Sequence, residues 1–244
     1  MVRCWLDTKR KSTKQAPRIN PVYLLSKVNP IKIPANNHWY ILPDNSVYLI
    51  FYLVKKDGRL QPSLRIIGPR SSHLLINRHS RYFTFMVSFK VGAMAAFCNI
   101  PMTELRDKST DAFDLFPWLK SDLLDQLTIA IQGADLSPFI STLEKALLKG
   151  LSQTRANIHP VISLLSKQII FSQPRVSEIS DKLGITERHL RSLSQKHVGH
   201  SPKVMLQIER FTRSLVMSNR CRGWTAIAHD AGYYDQSHMV DSYK

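Results

Sequence analysis

The sequence predicts an α+β protein: a β-rich amino-terminal domain with a helical hairpin, followed by an all-α domain with two helix-turn-helix motifs. Three observations predict this fold. Residues 21–115 contain short runs of β-branched and aromatic residues between turn signals, and residues 116–152 space their apolar residues as helices do. Within residues 155–244, a helical pattern repeats itself at a distance of 48 positions.

The composition is that of a folded, basic protein. Of 244 residues, 43% are hydrophobic, and 34 lysines and arginines face 18 acidic residues, which gives a formal charge of +16. This length and apolar content suffice for one large or two ordinary domains, which excludes wholesale disorder. Residues 1–18 hold six basic side chains against one acidic, residues 19–154 hold 15 against 10, and residues 155–244 hold 13 against 7. Because the excess is spread out, charge alone does not locate a nucleic-acid-binding surface.

The cysteines and the first residues indicate a cytoplasmic protein. Cys4, Cys98 and Cys221 are odd in number and far apart, which argues against a disulfide framework and against CxxC zinc ligation. The first residues lack the apolar stretch of a signal peptide, and the longest apolar run, residues 48–54, is much shorter than the ~20 residues that cross a bilayer. We therefore expect no membrane contact, no metal and no cofactor.

The β-rich domain follows a polar, basic segment. Residues 1–20 show no periodicity and are expected to form a flexible basic tail. Residues 21–115 then form the β-rich domain, which includes a short candidate helix at residues 92–98. The strands are predicted at residues 40–42, 47–54, 64–67 and 82–89.

Two amphipathic helices, joined through residues 133–138, are predicted within residues 116–152. Their apolar faces either cover the β-rich domain or form a dimer interface, and the sequence leaves both interpretations open. The apolar residues of the two helices are Trp118, Leu119, Leu123, Leu127 and Ile131, and then Phe139, Leu143, Leu147 and Leu151.

The pattern within residues 155–244 is an internal repeat. Each copy places a small residue four positions before a glycine. A helix-turn-helix needs both, because the second helix crosses close over the first and the turn needs a residue that tolerates positive φ. The residues Val176, Ile179, Ser180 and Gly184 recur 48 positions later as Trp224, Ile227, Ala228 and Gly232.

A capping residue after each glycine starts the second helix of each motif, Thr186 in the first copy and Asp235 in the second. The side chains expected to face the core are Leu190, Leu193, Met239 and Tyr243. On the outer face, Arg can bind guanine with two hydrogen bonds, Gln can bind adenine, and Ser and His can reach bases or phosphates. The candidate DNA-contacting residues are Thr186, Arg188, His189, Arg191, Ser192, Gln195, Asp235, Gln236, Ser237 and His238.

A further helix is predicted between the two copies. It starts at Pro202 and runs to about residue 219, and 18 residues at the helical rise span roughly 27 Å. Successive major grooves on one face of DNA recur about every 34 Å. Both motifs can therefore reach two successive major grooves. The apolar positions of this helix are Met205, Ile208, Phe211, Leu215 and Val216.

Several motifs in order resemble a known family. They are residues 176–180, 183–191 and 199–202, Arg210-Phe211, residues 226–228 and above all Gly232-Tyr233-Tyr234-Asp235-Gln236-Ser237-His238. In these motifs residues 155–244 resemble the DNA-binding domain of AraC/XylS-type transcriptional regulators. The β-rich part also resembles the amino-terminal domain of one branch of that family. This resemblance lies in Leu42-Pro43-Asp44, Leu49-Ile50-Phe51, Gly68-Pro69-Arg70 and Phe89-Lys90-Val91-Gly92-Ala93.

The resemblance implies a bacterial, sequence-specific, DNA-binding transcriptional regulator. It implies that residues 21–115 are a sensor-like domain that binds a small-molecule effector or forms a homodimer. It also implies that double-stranded DNA and RNA polymerase are partners of the chain. Neither the effector nor the target promoter follows from the sequence.

The chain also departs from the family pattern. Ser192 and Ser194 stand where the family usually has a basic residue and then a buried aromatic residue, and exchanging a buried Phe for Ser costs on the order of 3 kcal/mol. Asp241 stands where Arg is common, and its carboxylate would repel phosphates. The sequence given stops at Lys244, about twenty residues before the family pattern does, so we expect a truncated second motif that lacks its closing helix.

Two other function classes, an enzyme and a protein without sequence-specific DNA binding, are alternatives to a transcriptional regulator. An enzyme is not expected, because His38, His73 and His79 are scattered and the chain has neither a Gly-rich phosphate loop nor a Gly-x-Ser-x-Gly elbow. The alternative that stays open is a degenerate or non-specific nucleic-acid-binding or protein-interaction protein derived from such a regulator. Salt dependence and competition with random DNA distinguish it from a specific regulator.

Overall fold

A computed structural model of the chain describes residues 25–30, 38–77, 81–116, 118–119, 122–132, 137–154, 159–172, 174–218 and 223–242. The α+β class is confirmed, because antiparallel sheets precede a helical part. The predicted tail, residues 1–20, lies outside the described residues.

The amino-terminal part contains two antiparallel sheets. The five-stranded sheet has the order β1-β6-β3-β4-β7, and β2 pairs with β5. Asp57 and Gly58, both with positive φ, form the two-residue turn between β3 and β4, as a tight hairpin requires. The strands are β1 Leu25–Pro30, β2 His38–Ile41, β3 Val47–Lys56, β4 Arg59–Ile67, β5 Leu74–Asn77, β6 Arg81–Phe89 and β7 Ser109–Asp111.

The strand predictions need correction at their edges. The strand expected at residues 40–42 spans His38–Ile41, and Leu42 leaves it with an exposed side chain. The strands β1, β5 and β7 were not predicted; all three are short, and β1 and β7 are the edge strands of the large sheet. Residues 92–98 are not an α-helix: Gly92 turns at φ 79°, and only Met94–Ala96 forms a single 3₁₀ turn.

Helices α1 Ala112–Leu115, α2 Asp122–Gln132 and α3 Ser137–Thr154 follow the sheet. The apolar faces of α2 and α3 pack in one core with β3, β4 and β6. Phe51 of β3 meets Phe139 of α3 edge-on at 5.0 Å between ring centroids, and both are fully buried. Of the two interpretations of the hairpin, the structure therefore shows it as the cover of the sheet.

The remaining part is helical. Ile162, Leu165, Ile179 and Leu190 lie in one core that joins α4 to the first motif. A smaller cluster around Ile227 stabilises the second motif. The helices are α4 Pro160–Ser172, α5 Val176–Leu183, α6 Glu187–Val198, α7 Pro202–Ser218, α8 Trp224–Asp230 and α9 Gln236–Asp241.

Helix α7 confirms the predicted linking helix and corrects its buried face. Met205 and Ile208 are buried as expected. Val216, expected inside, is 55% exposed, whereas Ser214 is fully buried with its hydroxyl donating to the carbonyl of Phe211. A hydroxyl that bonds to its own helix can occupy an interior position, which a pattern of apolar spacing does not reveal.

Candidate nucleic-acid interface

The first motif has the mechanics that its sequence predicts. Helix α5 ends at Gly184, whose φ of 64° lies in the left-handed region. Ser180 is buried, and its hydroxyl donates to the carbonyl of Val176 at 2.9 Å, so the polar atom stays within α5 while α6 crosses it. The Thr186 hydroxyl accepts from the backbone N–H of His189 at 3.2 Å and caps α6.

The second motif repeats this arrangement. Ala228 is buried at the crossing point, and Gly232 has a φ of 85°. The N–H of Tyr233 donates to the carbonyl of Ala228 at 2.9 Å, as the N–H of Ile185 does to Ser180 in the first motif. Asp235 then accepts from the backbone N–H of His238 at 2.8 Å and caps α9.

The repeat distance changes inside the turn. The glycines are 48 positions apart, but the caps Thr186 and Asp235 are 49 apart, as are His189 and His238, whose amides they bind. The second turn therefore holds one extra residue, Tyr234, which is 93% exposed.

All ten candidate residues are exposed, while the interior positions Leu190 and Met239 are buried. Leu193 is half-buried, and Tyr243 lies outside the described residues. The two helices α6 and α9, called reading helices below, thus present the predicted polar faces outward. Whether these residues contact DNA stays a prediction.

Within the second motif, a contact between its two helices orients a candidate residue. The Thr225 hydroxyl lies 3.2 Å from the side-chain oxygen of Gln236 and donates to it. The ring of His238 meets Tyr233 edge-on at 5.4 Å. These contacts restrict both side chains before any ligand arrives, which lowers the entropy lost when they bind.

The two motifs differ in charge. Residues 176–198 hold Lys182, Arg188, Arg191 and Lys196 against three acidic side chains. Residues 224–241 hold three aspartates and neither lysine nor arginine. With histidines left out, residues 176–198 therefore carry 4 − 3 = +1 and residues 224–241 carry 0 − 3 = −3, so the second motif is the less favourable of the two for a phosphate.

Ser194 is accommodated inside the first motif. It is fully buried, and its hydroxyl donates to the carbonyl of Leu190 at 2.8 Å. Helix α6 runs through this position without a break and ends at Gly199. The serine therefore leaves no unpaired hydroxyl in the interior of the first motif.

The surface of the second motif also has an apolar component, which its sequence pattern did not indicate. Trp224 is 53% exposed, and Val240 on the reading helix is 45% exposed. Together with Tyr234 they give the motif exposed apolar groups of the kind that contact thymine methyls or a protein. Comparing the caps rather than the glycines identifies Tyr234, because only the caps reveal the inserted residue.

Among the described residues, no three His, Cys, Asp or Glu side chains are grouped as a metal ion requires. None of the described helices is long and apolar enough to cross a membrane.

Comparison with known proteins gives one family match. Residues 17–111, well under half of the chain, match a family described as a domain of unknown function (DUF6597). The match ends where β7 ends. No curated protein matches the chain.

The solved structures with similar folds include several of ToxT from Vibrio cholerae. One covers 89% of this chain and 93% of its own, at 12% identity and a TM-score of 0.46. Another, with bound (E)-4-(8-methylnaphthalen-1-yl)but-3-enoic acid, has the same coverage at 14% identity and a TM-score of 0.45. A third, with bound unsaturated fatty acid, covers 91% and 92% at 13% identity and a TM-score of 0.43. Similarity at this level assigns no activity to the chain.

Proposed function

We propose that the protein is a cytoplasmic, sequence-specific DNA-binding transcriptional regulator of AraC type. The observation that carries this proposal is the pair of capped reading helices with outward polar faces, one before and one after α7 along the chain. The 17 residues of α7 span about 26 Å, which suits two helices that enter successive major grooves.

The first motif supplies the electrostatic part of binding. Arg188 and Arg191 lie one turn apart on the exposed face of α6, where each can bind guanine or a phosphate. In the second motif, Gln236, Ser237 and His238 offer hydrogen bonds at the start of α9 with little attraction for phosphates. We therefore propose that affinity comes mainly from the first motif and that the second adds base selectivity.

The amino-terminal part is proposed as the regulatory domain. Its described interior is filled by Phe51, Phe89 and Phe116, which are fully buried, and by the apolar faces of α2 and α3. A small-molecule effector, a second copy of the chain and RNA polymerase are its proposed partners, on the strength of the family resemblance.

The acidic second motif favours one alternative. Three aspartates beside exposed Trp224, Tyr234 and Val240 also suit a surface that contacts protein. In that case the chain binds nucleic acid through the first motif only and selects sequence weakly.

The test is selection of bound sequences from a random duplex pool by the full chain. We expect an enriched motif with two parts about one helical turn of DNA apart. Arg188→Ala should remove preference in one part and Gln236→Ala in the other. Arg59→Ala, an exposed arginine on β4 far along the chain, is the matched control.

The outcome of this selection distinguishes a specific regulator from the alternative in which only the first motif binds nucleic acid. Two enriched parts, each lost in one variant, support a regulator that reads two grooves. One enriched part sensitive only to Arg188 supports the alternative. A pool without enrichment, and binding that falls steeply with salt on every sequence, refutes specific recognition.

A further inference from the structure

Motifs that the sequence analysis singled out, and that the reading helices do not use, meet at one place. Asn45, which follows the Leu42-Pro43-Asp44 segment, contacts His200, and Pro69 of the Gly68-Pro69-Arg70 segment lies against Gly199; both partners belong to the connection between α6 and α7. Gly92 lies against Ile162 of α4 and near the carbonyl of His197. We call this contact the junction. Its central residues are Asn45, Pro69, Gly92, Met102 and Arg106 on one side and His197, Gly199, His200 and Met205 on the other.

A buried polar bridge crosses the junction. His200 is 1% exposed, and its Nδ1 lies 3.1 Å from the side-chain oxygen of Asn45, which is itself 6% exposed. The amide nitrogen of Asn45 donates to the carbonyl of Met205 at 3.2 Å. The Asn45 oxygen must therefore accept, so the proton of the neutral imidazole sits on Nδ1 and the bridge has one hydrogen-bonding pattern.

Close backbone contact surrounds this bridge. Gly199 ends α6 with a φ of 91°, and a Cβ there would lie 2.8 Å from the carbonyl oxygen of Met102 and 2.8 Å from Cγ of Pro69. The guanidinium of Arg106 lies within 3.5 Å of the Gly199 carbonyl. The end of α6 therefore packs closely on Met102 and Pro69 of the amino-terminal part, which a glycine at position 199 permits because it has no Cβ.

The loop that carries Asn45 is firmly held. Asp44 and Arg70 exchange two backbone hydrogen bonds, at 3.0 and 2.8 Å, and Arg70 is 5% exposed. Asp107 accepts from the N–H and hydroxyl of Ser71 and pairs with Arg70 at 4.0 Å. A change in the first domain that moves this loop must therefore move Asn45 and the bridge.

The second motif is supported differently. Helix α8 packs on α7, and α9 packs on α8 around Ile227 and Met239. The three hydrogen bonds across the junction named above go to Gly199, His200 and Met205, that is, to the α6–α7 connection and the first turn of α7.

We propose that Asn45 and His200 are positioning residues for DNA recognition: they hold the first reading helix against the amino-terminal domain. A change in that domain then reaches the first motif directly. This inference rests on the proposed function for its DNA-binding consequence, but the coupling itself is measurable without DNA.

Protonation of His200 provides an internal test. Burial lowers its pKa to about 4; Asp107 and Asp44 act to raise that pKa, and Arg106 to lower it. The Nε2 atom is buried without a partner among the described residues. A solvated imidazole titrates near 6.5, so the docked junction selects neutral His200. Acidification from pH 6.5 towards pH 4 therefore raises the equilibrium constant for undocking, by about 30-fold at pH 5.

Other groups near the junction also titrate. Burial lowers the pKa of His197, and the neighbouring His159 lowers it further. Burial raises the pKa of Glu209, a residue of α7 that interacts with Arg213 and Asp44. A variant that removes only the titration of His200 is therefore needed.

The experiment uses the full chain and hydrogen exchange of the backbone amides of residues 199–205 at pH 7.5 and pH 5, with exchange corrected for intrinsic rates. Asn45→Ala should speed exchange there at least tenfold at pH 7.5. His200→Asn keeps a hydrogen-bond donor at the Nδ1 position and should retain slow amide exchange at both pH 7.5 and pH 5. In the wild-type chain the same amides should exchange faster at pH 5. Gln61→Ala, an exposed change on β4, is the control.

DNA affinity for the selected sequence is measured on the same samples. Asn45→Ala should weaken binding at least fivefold, because the undocked helix must be ordered again on DNA. Unchanged exchange in Asn45→Ala, or acid loosening that persists in His200→Asn, overturns the inference. Loosened exchange with wild-type affinity also overturns the positioning role. A wild-type chain that binds no DNA while Asn45→Ala loosens residues 199–205 refutes the proposed function and supports the junction.

Discussion

The two helix-turn-helix motifs share a backbone design and differ in almost everything else. Both use a small buried residue, a glycine with positive φ and a side-chain cap. The first carries four basic side chains and belongs to a core that extends to α4 and the junction. The second carries none and rests on a cluster of five buried residues. A sequence repeat therefore specifies how a chain folds locally, not what the resulting surface binds.

The largest expected difference lies in stability. Leu190→Ala removes a fully buried side chain from the larger core and should cost about 3 kcal/mol of global unfolding free energy. Met239→Ala, at an equivalent buried position, should open only α8 and α9, because small clusters unfold locally. Denaturant unfolding with hydrogen exchange measures both. Equal effects on the whole chain would show that the motifs are not separately stabilised.

The second expected difference lies in DNA affinity. Arg188→Ala should cost about 1–3 kcal/mol of binding free energy at particular bases, as one lost bidentate contact does. Ser237→Ala, which lies 49 positions later, should change affinity less than threefold. Titration of labelled duplexes with single base changes measures this. A uniform loss in Arg188→Ala on every sequence would instead make Arg188 a phosphate contact.

The charge difference can be reduced with one substitution. Val240 is the counterpart of Arg191 at the 49-residue distance and is 45% exposed. Val240→Arg should raise DNA affinity on the order of fivefold, because it adds a phosphate contact. The slope of log affinity against log salt concentration should steepen by about one, since about one more counterion is released on binding. Val240→Gln is the uncharged control. Equal affinities of both variants would place α9 away from the DNA backbone.

The smallest expected effects concern the caps, where the motifs should agree. Thr186→Ala and Asp235→Ala each remove a hydrogen bond to a third-position amide and should cost about 1 kcal/mol of local stability. Asp235→Asn should keep this cap and raise DNA affinity slightly by removing a negative charge. Thermal unfolding and duplex titration check these values. A lower affinity in Asp235→Asn would indicate that the carboxylate itself contacts a base.

The features that the sequence predicted correctly depend on interactions between residues close together in the chain. The helices of both motifs, their glycine turns and their caps depend on residues within a few positions of one another, so spacing and residue type identify them. Short edge strands lack such a signal: β7 has only three residues and pairs with β4 over more than forty positions. The sequence pattern did not indicate the buried Ser214, because its hydroxyl bonds within its own helix.

The sequence by itself determined that a β-rich part precedes a helical part, and it determined the two turns and the outward polar faces of the reading helices. Only the tertiary structure decided which motif the amino-terminal domain supports. Asn45 and His200 are 155 positions apart, and no local pattern pairs an amide with an imidazole at that distance. Burial selects the partner, because a polar group removed from water needs a hydrogen bond and only the folded chain brings one within reach.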